Sequence, residues 1–216
     1  MMAQEEGLDL IRKTGVIAIM RTQSSEQLLH AADAIREGGV CAIEVTMTTP
    51  GVLSVIEQAV TRYGPDVLFG AGTVLDAESA RAAILAGAQF IVAPTLNAEL
   101  VALCRRYSVP VVPGAYTPTE ALTAWEWGAS MVKIFPASVG GPAYIKALKA
   151  PLPQIEVIPV GGVKVDNTAD FIRAGAAGVG VGSALISQKL LDSRDFATMT
   201  ERARRLVEEV AHGRTD

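Results

Sequence analysis

The sequence contains little of what several protein classes require. Only two of its 216 residues are cysteine, and their spacing fits neither a disulfide framework nor a zinc site. The 19 basic and 23 acidic residues leave a formal net charge of −4, which indicates no basic surface for nucleic acid. No apolar run approaches the length of a membrane span, and the first residues lack the cationic and apolar regions of a secretory signal. We therefore predict a cytoplasmic protein with neither a nucleic acid nor a membrane as partner.

What remains is the composition of one globular domain. Half of the residues are apolar, enough for a single sizeable core, and we predict one domain over residues 1–216. Short β-rich runs alternate with longer amphipathic segments, which is typical of parallel strands joined by crossover helices. Eight strands are predicted: Val16–Arg21, Ala42–Met47, Leu68–Thr73, Phe90–Pro94, Val109–Gly114, Met131–Phe135, Ile155–Val160 and Gly178–Gly182. The predicted fold class is α/β, a (β/α)8 TIM barrel with an N-terminal helix, around residues 8–12, covering its bottom.

A repeated glycine favours this barrel over an open sheet. A glycine ends the helix before each even-numbered predicted strand, and glycine suits the left-handed backbone of a helix C-cap. The four glycines are Gly39, Gly87, Gly128 and Gly175. Five residues further on stand Glu44, Val92, Lys133 and Gly180. Equivalent positions on alternate strands of such a barrel point into one interior layer. Because the second and sixth strands lie opposite each other, Glu44 and Lys133 are predicted to meet inside, near the mouth formed by the C-terminal strand ends.

Lys133 is the most informative residue of this layer. It stands in the apolar run Met131–Pro136, with no neighbouring acid in the sequence. Burial disfavours the ammonium form, so the amine is driven toward the neutral state that attacks a carbonyl and forms a Schiff base. The alternative is a buried structural ion pair with Glu44, since structural charge networks also perturb pKa values.

Two glycine-rich loops predict a phosphate site. Gly161 and Gly162 follow the seventh predicted strand, and Gly182 and Ser183 end the eighth. Glycines there allow backbone N–H groups to face an anion, and a short helix predicted to begin near Ser183 would add its positive end. One such loop alone would indicate only a tight turn, whereas loops after the last two strands form the usual phosphate site of this barrel.

With these residues in view, the chain resembles the family of 2-keto-3-deoxy-6-phosphogluconate and 4-hydroxy-2-oxoglutarate aldolases. The resemblance is carried by the two glycine loops and by these segments: Glu44–Thr46, Gly70–Val74, Phe90–Pro94, Pro113–Gly114 with Thr117–Pro118, and Lys133–Ala137. It implies a class I aldolase that reversibly cleaves a 2-keto-4-hydroxy acid to pyruvate and an aldehyde. It also implies that no metal or cofactor is used and that the chain forms a homotrimer.

The resemblance also implies a role for each matching residue. Lys133 corresponds to the Schiff-base lysine and Glu44 to the general acid and base, whereas Thr73 corresponds to the hydroxyl that binds the pyruvate carboxylate. Arg21 matches a cationic residue at the mouth and is either an anion contact or a solvated arginine at a strand end, and Thr48 and Pro94 are further predicted substrate-binding residues. The residues that match the phosphate cradle are Gly161, Gly162, Gly182 and Ser183.

Two positions depart from the family pattern. Thr48 stands where many relatives carry an arginine for the substrate carboxylate, and Val160 stands where relatives often carry threonine before the paired glycines. Neutral hydrogen bonds from Thr48 and Thr73 would hold a carboxylate less strongly than a guanidinium would.

Two other functions are compatible with the pattern. A phosphosugar epimerase or isomerase would share the barrel and the phosphate loops, but it would work by proton transfer on carboxylates and needs no interior lysine. A non-catalytic barrel serving as an assembly module would leave the buried amine of Lys133 without a purpose.

Overall fold

The computed structural model describes residues 4–21 and 25–215. Helices and parallel strands alternate along this part of the chain, so the fold is α/β. Its helices are α1 (Gln4–Thr14), α2 (Ser25–Glu37), α3 (Val52–Tyr63), α4 (Ala77–Leu85), α5 (Ala98–Arg106), α6 (Pro118–Glu126), α7 (Gly141–Lys149), α8 (Val165–Arg173), α9 (Gln188–Asp192) and α10 (Phe196–Thr215). Its strands are β1 (Val16–Met20), β2 (Ala42–Thr46), β3 (Leu68–Gly72), β4 (Ile91–Val92), β5 (Val111–Val112), β6 (Gly114–Ala115), β7 (Val132–Ile134), β8 (Val157–Pro159) and β9 (Val179–Val181). None of the helices in these ranges is long and apolar enough to cross a membrane.

The strands form two parallel sheets. One has the order β5-β4-β3-β2-β1-β9 and the other β6-β7-β8. The fifth predicted strand is divided into β5 and β6 at Pro113, since proline has no N–H to donate to a neighbouring strand. A bridge between Val160 and Gly180 joins the end of β8 to β9. This bridge links the two sheets at one boundary, and at the other the chain passes from β5 to β6 through Pro113.

Alternate residues of the strands pack on opposite sides of a curled sheet. The larger apolar cluster lies between the strands and the helices that follow them. The smaller one occupies the concave side and takes residues from both sheets and from α1: Leu8, Ile11, Ile17, Ile19, Ala42, Leu68, Phe90, Val92, Val112, Met131, Ile158 and Val160. Because strand side chains alternate between faces, a residue two positions along from one of these also points to the concave side.

The repeated glycines have the predicted left-handed backbone. Gly39, Gly87, Gly128 and Gly175 have φ values of 92°, 99°, 88° and 100°. The prediction of these C-caps is therefore confirmed. The residue five positions after each of them is flanked on both sides by members of the larger apolar cluster, so all four of these residues point to the concave side.

The predicted helix near Ser183 is wrong. Residues 183–185 form a turn, in which the N–H groups of Leu185 and Ile186 both donate to the Gly182 carbonyl at 2.9 Å. Helix α9 begins only at Gln188, because Ser187 has an extended backbone and its side chain accepts a hydrogen bond from the N–H of Leu190. Serine favours such a cap over a helix interior.

Candidate active site

Lys133 and Glu44 both point to the concave side of the curled sheet. On β2, Ala42 belongs to the inner cluster while Ile43 and Val45 belong to the outer one, so Glu44 faces inward. Met131 and its neighbour Val132 give the same alternation around β7 and direct Lys133 inward. The two residues are 5% and 2% exposed, respectively. An amine and a carboxyl group thus share a nearly closed interior.

Burial shifts both groups toward their neutral forms. It lowers the pKa of Lys133, an effect that the Glu44 carboxylate partly offsets and Arg21 reinforces. It raises the pKa of Glu44, while the charges of Lys133 and Arg21 act in the opposite direction. In both cases removal from water is the largest cause. A neutral amine is a nucleophile and a protonated carboxyl is an acid, so the shifts suit imine chemistry.

The two groups are close enough to interact electrostatically, but they are not an ion pair. Among the described residues, neither group has a salt-bridge partner within 4.0 Å. Neither the Lys133 amine nor the Glu44 carboxyl forms a hydrogen bond with any of them. In the described ranges, Thr49 Oγ1 is the one side-chain polar atom that is fully buried and has no hydrogen-bond partner. The polar atoms of Lys133 and Glu44, which also have no partner, are therefore not fully buried. The Lys133 amine and the Glu44 carboxyl therefore open onto accessible space.

Gly72, at the end of β3, leaves room for the Glu44 carboxyl. A Cβ atom built on Gly72 would lie 2.7 Å from Glu44 Cδ, a distance that real side chains do not adopt. Only glycine at this position allows Glu44 to keep its present orientation.

Because Glu44 is the predicted general acid and base, we expect Gly72→Ala to displace this carboxyl and to reduce kcat by roughly 10²-fold, a typical cost of a displacement of about 1 Å in a catalytic group. Overpacking should also lower the free energy of unfolding by roughly 1–3 kcal/mol. Steady-state kinetics and urea unfolding measure the two effects. In a Glu44→Gln background the same substitution should cost little further activity. Equal losses in both backgrounds would show that Gly72 acts independently of Glu44.

The other predicted substrate-binding residues surround the C-terminal ends of the strands. Thr73 follows β3 with φ of 58°, a left-handed backbone that is uncommon for a β-branched residue. Thr48 is exposed, and its hydroxyl lies 2.9 Å from that of Thr46. Pro94 is half-buried beyond β4, and Arg21 is exposed just after β1.

The cradle residues line a cavity of about 940 Å³, which Arg21 also borders. Gly161 and Gly162 have φ values of 90° and 81°, which turn the chain sharply after β8. The backbone N–H groups of Gly162, Val163, Ser183 and Ala184 donate to no acceptor in the described ranges. Two loops that line one cavity therefore carry backbone donors without an acceptor in the described ranges. Lys133, Glu44, Thr73, Thr48 and Pro94 do not border this cavity.

Phe135 joins the two parts of the site, and the sequence interpretation did not single it out. Its ring centroid lies 5.1 Å from Lys133 Nζ, and the residue borders the cavity on the cradle side. A Cβ atom on Gly161 would lie 3.3 Å from this ring. The sequence could have indicated Phe135, because side chains alternate between the two faces of a strand and residues 131, 133 and 135 therefore share a face.

Three further cations that line the cavity were also missed. Lys164, Arg202 and Arg205 line it, and Asp166 is the acidic residue among the lining side chains. An excess of positive charge beside free N–H groups favours an anion. For metals, the described ranges contain no group of three His, Cys, Asp or Glu side chains able to hold an ion.

An inward amine shifted toward its neutral form, with an acid within electrostatic reach, suits cleavage of a carbon–carbon bond through a lysine imine. The protein is a class I aldolase, a carbon–carbon lyase. The model of the KDPG and KHG aldolase family matches residues 8–202, and the chain belongs to this family. The abbreviations denote the two substrates named above, 2-keto-3-deoxy-6-phosphogluconate and 4-hydroxy-2-oxoglutarate.

Individual relatives agree with this membership. The chain is 44% identical over 174 residues to the 2-dehydro-3-deoxy-6-phosphogalactonate aldolase of Escherichia coli (strain K12), which covers 80% of this chain and 85% of that protein. A structure described as native KDPGal is 38% identical with a TM-score of 0.87, covering 93% of this chain and 96% of the other. The KDPG aldolase of Legionella pneumophila, with pyruvate captured as a covalent carbinolamine intermediate, is 28% identical with a TM-score of 0.86, covering 93% and 97%.

Proposed function

We propose that this aldolase cleaves 2-keto-3-deoxy-6-phosphohexonates to pyruvate and glyceraldehyde 3-phosphate, with Lys133 as the Schiff-base nucleophile. The observation that carries the proposal is the inward, nearly buried amine of Lys133, which has no ion pair and lies within electrostatic reach of Glu44. A structural ion pair would require direct contact to offset the loss of hydration. The lack of a salt bridge between the two groups therefore supports a catalytic role.

The chemistry follows from these two groups. Neutral Lys133 attacks C2 of the substrate and forms a carbinolamine, and protonated Glu44 donates the proton with which the hydroxyl leaves as water. The Glu44 carboxylate then takes the proton of the C4 hydroxyl, directly or through water. As the C4 carbonyl forms, the C3–C4 bond breaks and its electron pair moves through C3 and C2 to the imine nitrogen. The aldehyde leaves, C3 of the enamine takes the proton back from Glu44, and water releases pyruvate from Lys133.

Binding of the two anionic ends would orient the substrate for this attack. The carboxylate of the pyruvate half lies beside the strand ends after β2 and β3, where Thr48 and Thr73 supply hydroxyl groups and Arg21 a positive charge. The left-handed backbone of Thr73 supports such a role, because strained positions are concentrated at ligand sites. The phosphate occupies the cradle of Gly161, Gly162, Gly182 and Ser183. Pro94 borders the pyruvate end.

The galactonate configuration is the first choice for the phosphorylated substrate. The support is the 44% identity to the Escherichia coli phosphogalactonate enzyme. Val160 has an apolar side chain that lines the cavity. This side chain packs closely against Gly180, because a Cβ atom built on Gly180 would lie 2.6 Å from Val160 Cγ2. A methyl group held in that position offers no hydrogen bond to a substrate hydroxyl. The gluconate epimer and 4-hydroxy-2-oxoglutarate remain alternative substrates.

The overall architecture proposed for this enzyme is one (β/α)8 barrel in a homotrimer. The bridge from Val160 to Gly180 and the continuity at Pro113 support closure of the barrel. Leu8 and Ile11 of α1 join the inner cluster, which supports α1 as the cover of the end opposite the site. The trimer is implied by the family resemblance. Large apolar side chains exposed on the single chain, such as Leu85 at 70%, are compatible with contacts between subunits.

Trapping of the imine tests the proposal. With pyruvate and borohydride, we expect a stable mass increase corresponding to reduced pyruvate on one lysine, and peptide mapping should place it at Lys133. Activity should be lost in parallel with the modification. Lys146, an exposed lysine of α7, serves as the comparison: a Lys146→Met protein should be trapped and inactivated at the rate of the wild type.

The result separates the proposal from its alternatives. A phosphosugar epimerase or isomerase would form no adduct with pyruvate and would interconvert its sugars without releasing it. An assembly module would show neither reaction. Adduct formation spread over exposed lysines, with Lys133 unmodified, would assign the imine elsewhere and contradict the role given to this residue.

A further inference from the structure

Helix α10 carries arginines on two different faces. One side of the helix is buried in the core through Met199, Ala203, Leu206 and Val210. Arg202 and Arg205 are three residues apart, which places them on one side of the helix, and both line the cavity that contains the cradle. Arg204 is exposed and forms ion pairs with Glu201 and Glu208. The charge of Arg204 is therefore balanced within the helix, whereas Arg202 and Arg205 face the cavity.

Arg202 also holds the loop that follows β9. Its Nη1 donates a hydrogen bond of 3.0 Å to the carbonyl of Ala184, which comes directly after Ser183. The fully buried Leu185 anchors the same turn from the core side. The loop is thus fixed between the core and α10, with the free N–H groups of Ser183 and Ala184 on its backbone.

The guanidinium of Arg202 keeps donors available for a ligand. It has five N–H donors, of which one is used by Ala184, and no described residue forms an ion pair with it. Asp195 is near enough for Arg202 to lower its pKa. However, the Asp195 carboxylate already accepts hydrogen bonds from the hydroxyl and the N–H of Thr198. Arginine in such a position suits the forked recognition of phosphate oxygens.

We propose that Arg202 orders the phosphate loop through Ala184, binds the substrate phosphate with its remaining donors and thereby makes the enzyme prefer phosphorylated over unphosphorylated 2-keto acids. This inference rests on the proposed function, because it assigns the cradle to the substrate phosphate. Arg202 lies far along the chain from the glycine motifs, and it acts on the distal end of the substrate rather than on the reacting carbons. The matched pair of substrates is 2-keto-3-deoxy-6-phosphogalactonate and its dephosphorylated form.

The test compares Arg202→Gln with the wild type on both substrates. We expect KM for the phosphorylated substrate to rise roughly tenfold or more, the usual effect of losing a hydrogen bond to a charged group. The kcat/KM for the dephosphorylated substrate should change by less than about twofold. Arg202→Lys keeps the charge without the fork and should fall between the two. Ser183→Glu, which places a carboxylate in the cradle, should show the same selectivity for the phosphorylated substrate.

Arg204→Gln is the matched control, since it removes the same charge from the same helix on the solvent side. It should leave both substrates unaffected. An equal loss on both substrates in Arg202→Gln would show a general structural role and overturn the proposal. So would a KM that does not change.

Binding of inorganic phosphate, followed by phosphorus NMR, separates this inference from the function on which it rests. If the wild type cleaves neither substrate but binds phosphate in a manner that Arg202→Gln weakens about tenfold, then the proposed substrate is wrong, while the part of the inference that assigns phosphate binding to Arg202 stands. If the wild type cleaves both substrates and Arg202→Gln binds phosphate as well as the wild type, the aldolase stands and the role of Arg202 is wrong.

Discussion

Lys133→Met is expected to reduce aldol cleavage by roughly 10⁴-fold or more, because without the amine no imine can accept the electrons of the C3–C4 bond. Methionine fills nearly the same volume and carries no charge. The measurement is pyruvate release in a coupled assay, together with borohydride trapping, which should give no adduct at this position. A residual rate within tenfold of the wild type would exclude Lys133 as the nucleophile.

The folded protein should tolerate this substitution well. Burial already lowers the pKa of Lys133, which means that the folded state disfavours its charged form, so removing the amine removes an unfavourable group. We expect the thermal midpoint of Lys133→Met to equal or exceed that of the wild type. A marked decrease would instead indicate that the amine stabilises the fold. Lys146→Met provides the comparison for loss of a lysine on the surface.

The pH dependence of the wild type follows from the same shift. The nucleophile is the neutral amine, so the rate of imine formation rises with pH as Lys133 loses its proton. Because burial lowers the pKa of Lys133, the midpoint of this rise lies below the range of an ordinary lysine. The rate of borohydride trapping at saturating pyruvate measures it. Lys133→Met should show no such limb.

The interior layer of the site could be predicted from the sequence because two short-range rules coincide there. The left-handed glycines, such as Gly128 before β7, set the same offset into each strand, and the alternation of strand side chains then decides which residues face inward. Both rules depend on neighbours along the chain. Lys133 and Glu44 could thus be placed on one side of the sheet without knowledge of the tertiary contacts.

The remaining features depend on contacts that no local pattern contains. The hydrogen bond from Arg202 to Ala184 spans 18 positions and exists only because α10 packs beside the loop after β9. The turn at Ser183 was mistaken for a helix start, since the extended backbone of Ser187 delays α9 by several residues. The division of the fifth strand at Pro113 has a local cause, the missing N–H, and could have been predicted.

The second large effect is expected from Glu44→Gln, which should reduce kcat by roughly 10² to 10⁴-fold, the usual contribution of a general acid and base. Glutamine keeps the shape of the side chain beside Gly72 but neither gives nor takes a proton. Trapping of pyruvate should persist, though more slowly, because Lys133 remains in place. Cleavage should be measured by steady-state kinetics, and imine formation by single-turnover trapping. A variant with full kcat would exclude Glu44 from proton transfer.

The same variant should move the pH profile in a direction fixed by electrostatics. The Glu44 carboxylate partly offsets the lowering of the Lys133 pKa, so its removal should shift the rise of imine formation to lower pH. Arg21 acts in the opposite sense on the same amine, and Arg21→Gln should shift the rise to higher pH. Opposite shifts from two substitutions cannot come from a general loosening of the fold. They would show that both charges act on the amine of Lys133, whereas shifts of the same sign would contradict this arrangement of the site.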